Sequence, residues 1–272
     1  MNRIDTRFAQ LKATGRKALV PFVTAGDPSL EATVPVMHAL VDAGADLLEL
    51  GVPFSDPMAD GPTIQRSSER ALARGASLAY VFDCVRRFRE TDGQTPVVLM
   101  GYLNPVEIRG AECFATDAIA AGVDGLLLVD LPPEEADGFR AAFTKRGLAL
   151  ILLAAPTTTQ ARIALLCDGA QGYLYYVSFA GVTGADQLDA SAAGERLRAI
   201  RMRSPVPVVA GFGIKDVASA AAMAVDADGV VVGSALVAAL VGAANPADAA
   251  TRASAFLAPL RTALDGVSRV LR

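Results

Sequence analysis

The segment GLLLVDLPPEEADGFRAAFTKRGLALILLA, residues 125–154, reads as strand, helix, strand. Its ends, 125–130 and 148–154, are short, apolar runs of the kind buried on both faces of a parallel sheet. The middle opens on prolines and acids and closes on Lys145, Arg146 and Gly147, which are helix start and stop signals. Two parallel strands joined by such a helix form the βαβ unit.

The unit recurs along the chain. Apolar runs at 18–24, 46–51, 96–102, 172–178, 206–211 and 229–233 bring the strands to eight, with amphipathic stretches between them. In one of these, SLEATVPVMHALVDAG (29–44), Ser29 is expected to cap the helix and Gly44 to end it. Eight strands alternating with helices over about 250 residues match an α/β fold of the (β/α)8 TIM-barrel type, with 1–272 as a single domain. A doubly wound open sheet is the competing arrangement. Residues 1–14 read as an extra N-terminal helix that covers the bottom of the barrel.

Composition narrows the function. The chain has 272 residues, 52% of them hydrophobic, and a net charge of −4, with no lysine or arginine run to follow a phosphate backbone. Nucleic acid is therefore not an expected partner. The first residues lack the apolar core of a signal peptide, and the longest uncharged run, 229–244, is too short and glycine-broken to span a bilayer. A cytoplasmic protein with no membrane partner is expected. The cysteines, Cys84, Cys113 and Cys167, form no CxxC pair and read as buried free thiols on helices.

In a barrel of this type chemistry collects where the strands end. The only histidine, His38, falls in a helix, so neither a His-ligated metal nor a Ser-His-Asp triad is available; no metal site is expected. None of the four lysines lies within a strand, which argues against a Schiff base, and Lys215 reads as the opening of a helix. Carboxylates and phenols remain. Glu49, in LELGVPFSDPMADGPTIQ (48–65), sits between Leu48 and Leu50, whose apolar setting is expected to raise its pKa. An ion pair with a rim arginine is the plain alternative. Asp60 lies in a proline-stiffened loop that could close over the mouth; it reads as the charged partner of a protonated Glu49, or as a solvated turn residue. Glycine-rich turns at 181–184, 211–213 and 233–235 follow the last three strands, as a phosphate cradle requires, although any one of them could be only a tight turn. Phe22, Met100, Leu127, Leu153, Tyr175 and Phe212 would line an apolar slot for a flat group.

PFVTAGDP, LELGVPFSDPMADGPTIQ, GYLNP, GVTG and GFGI, in this order and spacing, resemble the tryptophan synthase α subunit family over nearly the whole chain. The resemblance implies retro-aldol cleavage of indole-3-glycerol phosphate to indole and glyceraldehyde 3-phosphate, with no cofactor in this chain. By motif position it implies Glu49 and Asp60 as the catalytic pair. By the same positions Tyr175 becomes a supporting contact and Gly184, Gly213, Gly233 and Ser234 phosphate contacts, while Phe22, Met100, Tyr102, Leu127 and Phe212, read from the strand ends, are the further substrate contacts expected. It further implies a pyridoxal-phosphate β subunit in an α2β2 heterotetramer, towards which Pro53 and Asp56 would face. Phe179, Ala180 and Leu103 depart from the family pattern. A non-catalytic activating subunit and another phosphate-binding barrel of the indole pathway are the alternatives, and release of indole separates them.

Overall fold

The structure is a computed structural model that describes residues 2–177, 190–211 and 213–270. Eight strands form a closed barrel in chain order: β1 Ala18–Thr24, β2 Leu48–Gly51, β3 Val97–Gly101, β4 Gly125–Leu128, β5 Ala149–Ala154, β6 Leu174–Val177, β7 Val208–Gly211 and β8 Gly229–Val232. All neighbours are parallel, and β8 closes on β1 with Ala18 opposite Gly229 and Pro21 opposite Val232. Closure removes the open-sheet alternative.

Strand pleat sorts the side chains into two shells. Leu48 and Leu50 point outward into the layer between strands and helices, beside Leu99 and Leu126. Val20, Val98, Leu127, Ile151, Tyr173 and Val209 point inward and fill the barrel. The helix Arg3–Thr14 lies across the bottom, with Ile4 and Phe8 buried against the interior and Phe8 centred 5.8 Å from Tyr173.

The bottom is fastened by a repeated device. Asp46, Asp124, Gln171 and Asp228 each precede an even-numbered strand and accept an N–H from the odd-numbered strand before it: Leu19, Val97, Leu150 and Val208, at 2.8–2.9 Å. Three of them also hold arginines. Asp46 meets Arg7 and Arg261 at 2.6 and 2.9 Å, Asp124 meets Arg3 and Arg89 at 2.9 and 2.8 Å, and Asp228 meets Arg201 at 2.8 Å. Arg3 and Arg7 belong to the N-terminal helix, so the same carboxylates that start the strands also seat that helix. This is why β2 begins at Leu48 rather than at residue 46: Asp46 serves as a cap.

Local expectations need two corrections. Ser29 precedes a 3₁₀ turn, Leu30–Ala32, and makes no capping bond; the α-helix proper is Thr33–Asp42, whose Thr33 hydroxyl accepts from Gly26 N–H at 2.9 Å. Of the cysteines only Cys84 is buried, because Cys113 lies on the solvent face of its helix and Cys167 is half-buried. His38 packs its ring 4.8 Å from that of Phe88, a structural position. No helix among the described residues is long and apolar enough to cross a membrane.

Asp46→Ala should lower folding stability by about 2–4 kcal/mol, since it leaves the Leu19 N–H unpaired and reduces the partners of the buried Arg261 guanidinium to Asp265 and the Lys17 carbonyl. Urea unfolding measures this, and a loss below about 1 kcal/mol would show the bottom ring to be incidental.

Candidate active site

At the C-terminal end of the barrel a cavity of about 210 Å³ is lined by Phe22, Glu49, Asp60, Met100 and Tyr175 together with Gly213, Gly233 and Ser234. Glu49 enters it from β2, in register with Phe22 and Val98. It is fully buried. Tyr173 donates its hydroxyl to Glu49 Oε1 at 2.6 Å, while Oε2 has no hydrogen-bond partner among the described residues. Burial pushes the carboxyl up to about 7, and the Tyr173 bond works against that rise. The arginine pairing considered from the sequence is absent among the described residues. The cause of the high pKa also differs from expectation: Leu48 and Leu50 face away, so the barrel interior desolvates Glu49, not its sequence neighbours.

Asp60 reaches the same cavity from the loop after β2. It is half-buried, not solvated, and burial raises its pKa too, opposed by the Tyr102 hydroxyl that donates to Oδ2 at 2.9 Å. The two carboxyls are thus shifted in the same direction. What distinguishes them is that Glu49 is sealed completely.

Tyr102 clamps the loop. Its hydroxyl accepts from Ala59 N–H at 3.0 Å while donating to Asp60, and its ring stacks on Phe54 at 4.9 Å. Gln65 adds Nε2 bonds to the carbonyls of Pro57 and Asp60 at 3.3 and 2.9 Å. The helix that follows, Pro62–Ala73, is moored to the top of β1: Ser67 and Thr24 hydroxyls meet at 2.6 Å, and Arg70 grips Asp27 with two bonds of 2.7–2.8 Å.

Two glycines make room for the aromatic walls. A Cβ on Gly51 would lie 2.6 Å from the Phe22 ring, and one on Gly211 would lie 2.0 Å from the Tyr175 hydroxyl. The rings reach the cavity only because these positions carry no side chain. Gly213, at φ 77°, Gly233 and Ser234 line the same cavity as Glu49. Ser234 begins the helix Ser234–Leu240, with Gly233 before it.

Several expected residues are placed elsewhere. Tyr102 lies in an adjoining crevice with Asp60. Leu127 is fully buried in the barrel interior, in register with Met100, and is not among the residues that line the cavity. Pro53 is buried, so it presents no surface to a neighbour; Asp56 is exposed, and Met58 is 83% exposed. Gly184 and Phe212 lie outside the described residues, as do Phe179 and Ala180.

Attention to strand ends alone missed four residues. Tyr173 precedes Tyr175 by two in GYLYYVS, and a period of two puts both inside the barrel. Ile64 and Val231 add apolar lining, and Lys215 is the basic residue of the described lining. No cluster of three or more metal-ligating side chains occurs among the described residues.

Comparison with known proteins agrees in sequence and structure. The family model for the tryptophan synthase alpha chain matches residues 8–264. The tryptophan synthase alpha chain of Xanthomonas oryzae pv. oryzae (strain MAFF 311018) is 74% identical over 266 residues, 97% of this chain and 99% of that one. That of Xanthomonas campestris pv. campestris (strain B100) is 71% identical over 265 residues, 97% of each chain. The crystal structure of tryptophan synthase subunit alpha from Legionella pneumophila str. Paris superposes with a TM-score of 0.90 at 47% identity, covering 98% of this chain and 99% of that chain. A chain of tryptophan synthase from M. tuberculosis in its open form gives 0.85 at 36% identity, covering 97% and 99%.

The buried carboxyl sets a pH dependence of stability. Glu49 holds its proton more tightly folded than unfolded, so the stability it contributes is complete below about pH 4.5 and is lost as pH rises through about 7. Glu49→Gln lacks that loss. Relative to the parent, its unfolding free energy should climb by roughly 3 kcal/mol between about pH 4 and pH 8. Parallel urea curves at both pH values check it, and a constant difference would place the Glu49 pKa near its ordinary value.

Proposed function

The chain belongs to the tryptophan synthase alpha chain family, and from that premise we propose how its residues divide the work of cleaving indole-3-glycerol phosphate. The products are indole and glyceraldehyde 3-phosphate. The observation that carries the reading is a fully buried carboxyl with a pKa of about 7 opening into one cavity with Asp60 and the glycine turns.

Indole C3 is a poor leaving carbanion, so the ring must first become an electron sink. Glu49, protonated near neutral pH, gives its proton to C3. The positive charge that follows on the ring nitrogen is balanced by ionised Asp60, which accepts the N1–H hydrogen bond, an interaction strengthened by the partly dry site. Glu49, now a carboxylate with Tyr173 still donating to it, takes the proton from the side-chain hydroxyl next to the ring. The carbon–carbon bond breaks and the electrons return to the indole. Phe22, Met100 and Tyr175 hold the flat ring, and Tyr102 holds Asp60 in reach. Leu127 packs in the same interior cluster as these walls.

Gly213, Gly233 and Ser234 cradle the phosphate. Supporting this, a helix leaves its first N–H groups without intrahelical partners, and the one starting at Ser234 opens into the cavity. Lys215 adds the positive charge. Gly184 and Phe212 belong to the same cradle and slot by motif. The chain needs no cofactor of its own and works as one domain over 1–272, in the cytoplasm. Its partner is a pyridoxal-phosphate β subunit in an α2β2 heterotetramer, which receives the indole. Asp56 and Met58, both exposed on the loop that carries Asp60, form the part of the contact surface closest to the chemistry; buried Pro53 sets the loop's path instead.

Indole release, assayed with and without β subunit, tests the reading directly. Glu49→Gln should cut turnover by at least ~10² with substrate binding kept, and Asp60→Asn should do similar damage, because an amide cannot balance the ring charge. A rate for either variant within a few-fold of the parent's would remove that residue from the chemistry. For the parent enzyme kcat/KM should follow a bell: the alkaline limb falls through about pH 7 as Glu49 loses its proton, and the acid limb falls as Asp60 gains one. Asp56→Ala should weaken activation by β subunit roughly fivefold while leaving unassisted indole release intact. Unchanged activation in a titration with β subunit would take Asp56 out of the interface.

A further inference from the structure

A second cavity, of about 710 Å³, opens at the opposite end of the barrel, between the N-terminal helix and the segments that lead into β7 and β8. Four cations line it, Lys12, Arg16, Lys17 and Arg201, against a single carboxylate, Asp228. Arg16 is engaged by Asp265 at 3.0 Å and Arg201 by Asp228 at 2.8 Å. The two lysines have no carboxylate partner among the described residues.

Lys17 is only 7% exposed, and its ammonium donates to the carbonyl of Ala227 at 2.6 Å. An ammonium has three donors, and the described residues supply an acceptor for one. Burial above all, and then the neighbouring Arg201, hold the Lys17 pKa below the ordinary lysine range, and the carboxylates Asp228 and Asp226 offset this only in part. Lys12 is exposed in the last turn of the N-terminal helix, on the rim of the same cavity. A gathering of cations with too few counter-charges is a site where an anion is stabilising, because it relieves repulsion and supplies missing acceptors. The remaining wall is of another kind: Phe8, 5% exposed, with Pro205 and Pro207, offers flat apolar surface.

We infer that this cavity is a second, non-catalytic binding site for a small anion bearing a flat apolar group, of the aryl phosphate class. Lys12 and Lys17 take the oxyanion, and Phe8 with the two prolines takes the ring. The site lies at the other end of the barrel from Glu49 and does not depend on the reaction there.

Phenyl phosphate is a suitable probe, titrated into the full chain while backbone amide resonances are followed. Saturable shifts are expected at Lys12, Gly15, Arg16, Lys17, Arg201, Ser204 and Val206, separable by residue from any at Gly213, Gly233 and Ser234 in the mouth. Phenol should leave the first group unmoved. Lys12→Glu, on an exposed position, should weaken the bottom site about fivefold without changing indole release. Lys17→Met should abolish binding there, with circular dichroism to confirm that the variant folds. Absent or unsaturable shifts at the bottom amides would overturn the inference, as would equal binding of phenol or an affinity indifferent to Lys12→Glu.

Discussion

Closure of eight parallel strands leaves each strand two directions for its side chains, and nearly every property of this protein follows from that division. Along β2 the alternation turns Leu48 and Leu50 to the helices and Glu49 to the barrel interior. Inside, the carboxyl meets Val98 and Phe22 across the neighbouring strands and has, among the described residues, one hydrogen bond, from Tyr173. A lone buried carboxylate is costly to charge, so the group holds its proton up to about pH 7. The general acid proposed for the reaction is thus the chemical result of a geometric constraint.

The two ends of the barrel handle charge in opposite ways. At the bottom, buried carboxylates are satisfied twice, by strand N–H groups and by arginines from distant helices. They hold the first and last helices to the strands. At the mouth, Glu49 and Asp60 have one phenol each and an open cavity between them. Stability is concentrated where charges are paired, and reactivity where they are not.

Placing Asp60 is a separate task, because its loop belongs to no strand. Proline stiffness is only part of the answer. Tyr102, at the end of β3, fixes the loop through one oxygen that serves two residues, and the following helix is pinned to β1 by Ser67 and Arg70. Asp60 is therefore positioned by strands on both sides of the one that carries Glu49, which ties the spacing of the two carboxyls to barrel closure itself.

Much of this was legible in the sequence. Short apolar runs, helix stop signals and their alternation are local features, and they determined the eight strands and the α/β class; the long motif around Glu49 and Asp60 marked the chemistry. The aspartates ahead of β2, β4 and β8 also left a signal, in ADLLEL, VDGLLL and ADGVVV, but their meaning depends on partners 27, 27 and 20 residues away. Only the tertiary structure decided that Glu49 is desolvated by the barrel and not by its leucines, that Tyr173 is its partner 124 residues on, and that Asp60 is half-buried under Tyr102. It also withdrew Leu127 from the cavity and Pro53 from the surface. The physical reason is the same in each case: periodicity says which face a side chain takes, whereas burial, pKa and partners are set by what closure brings against that face from elsewhere in the chain.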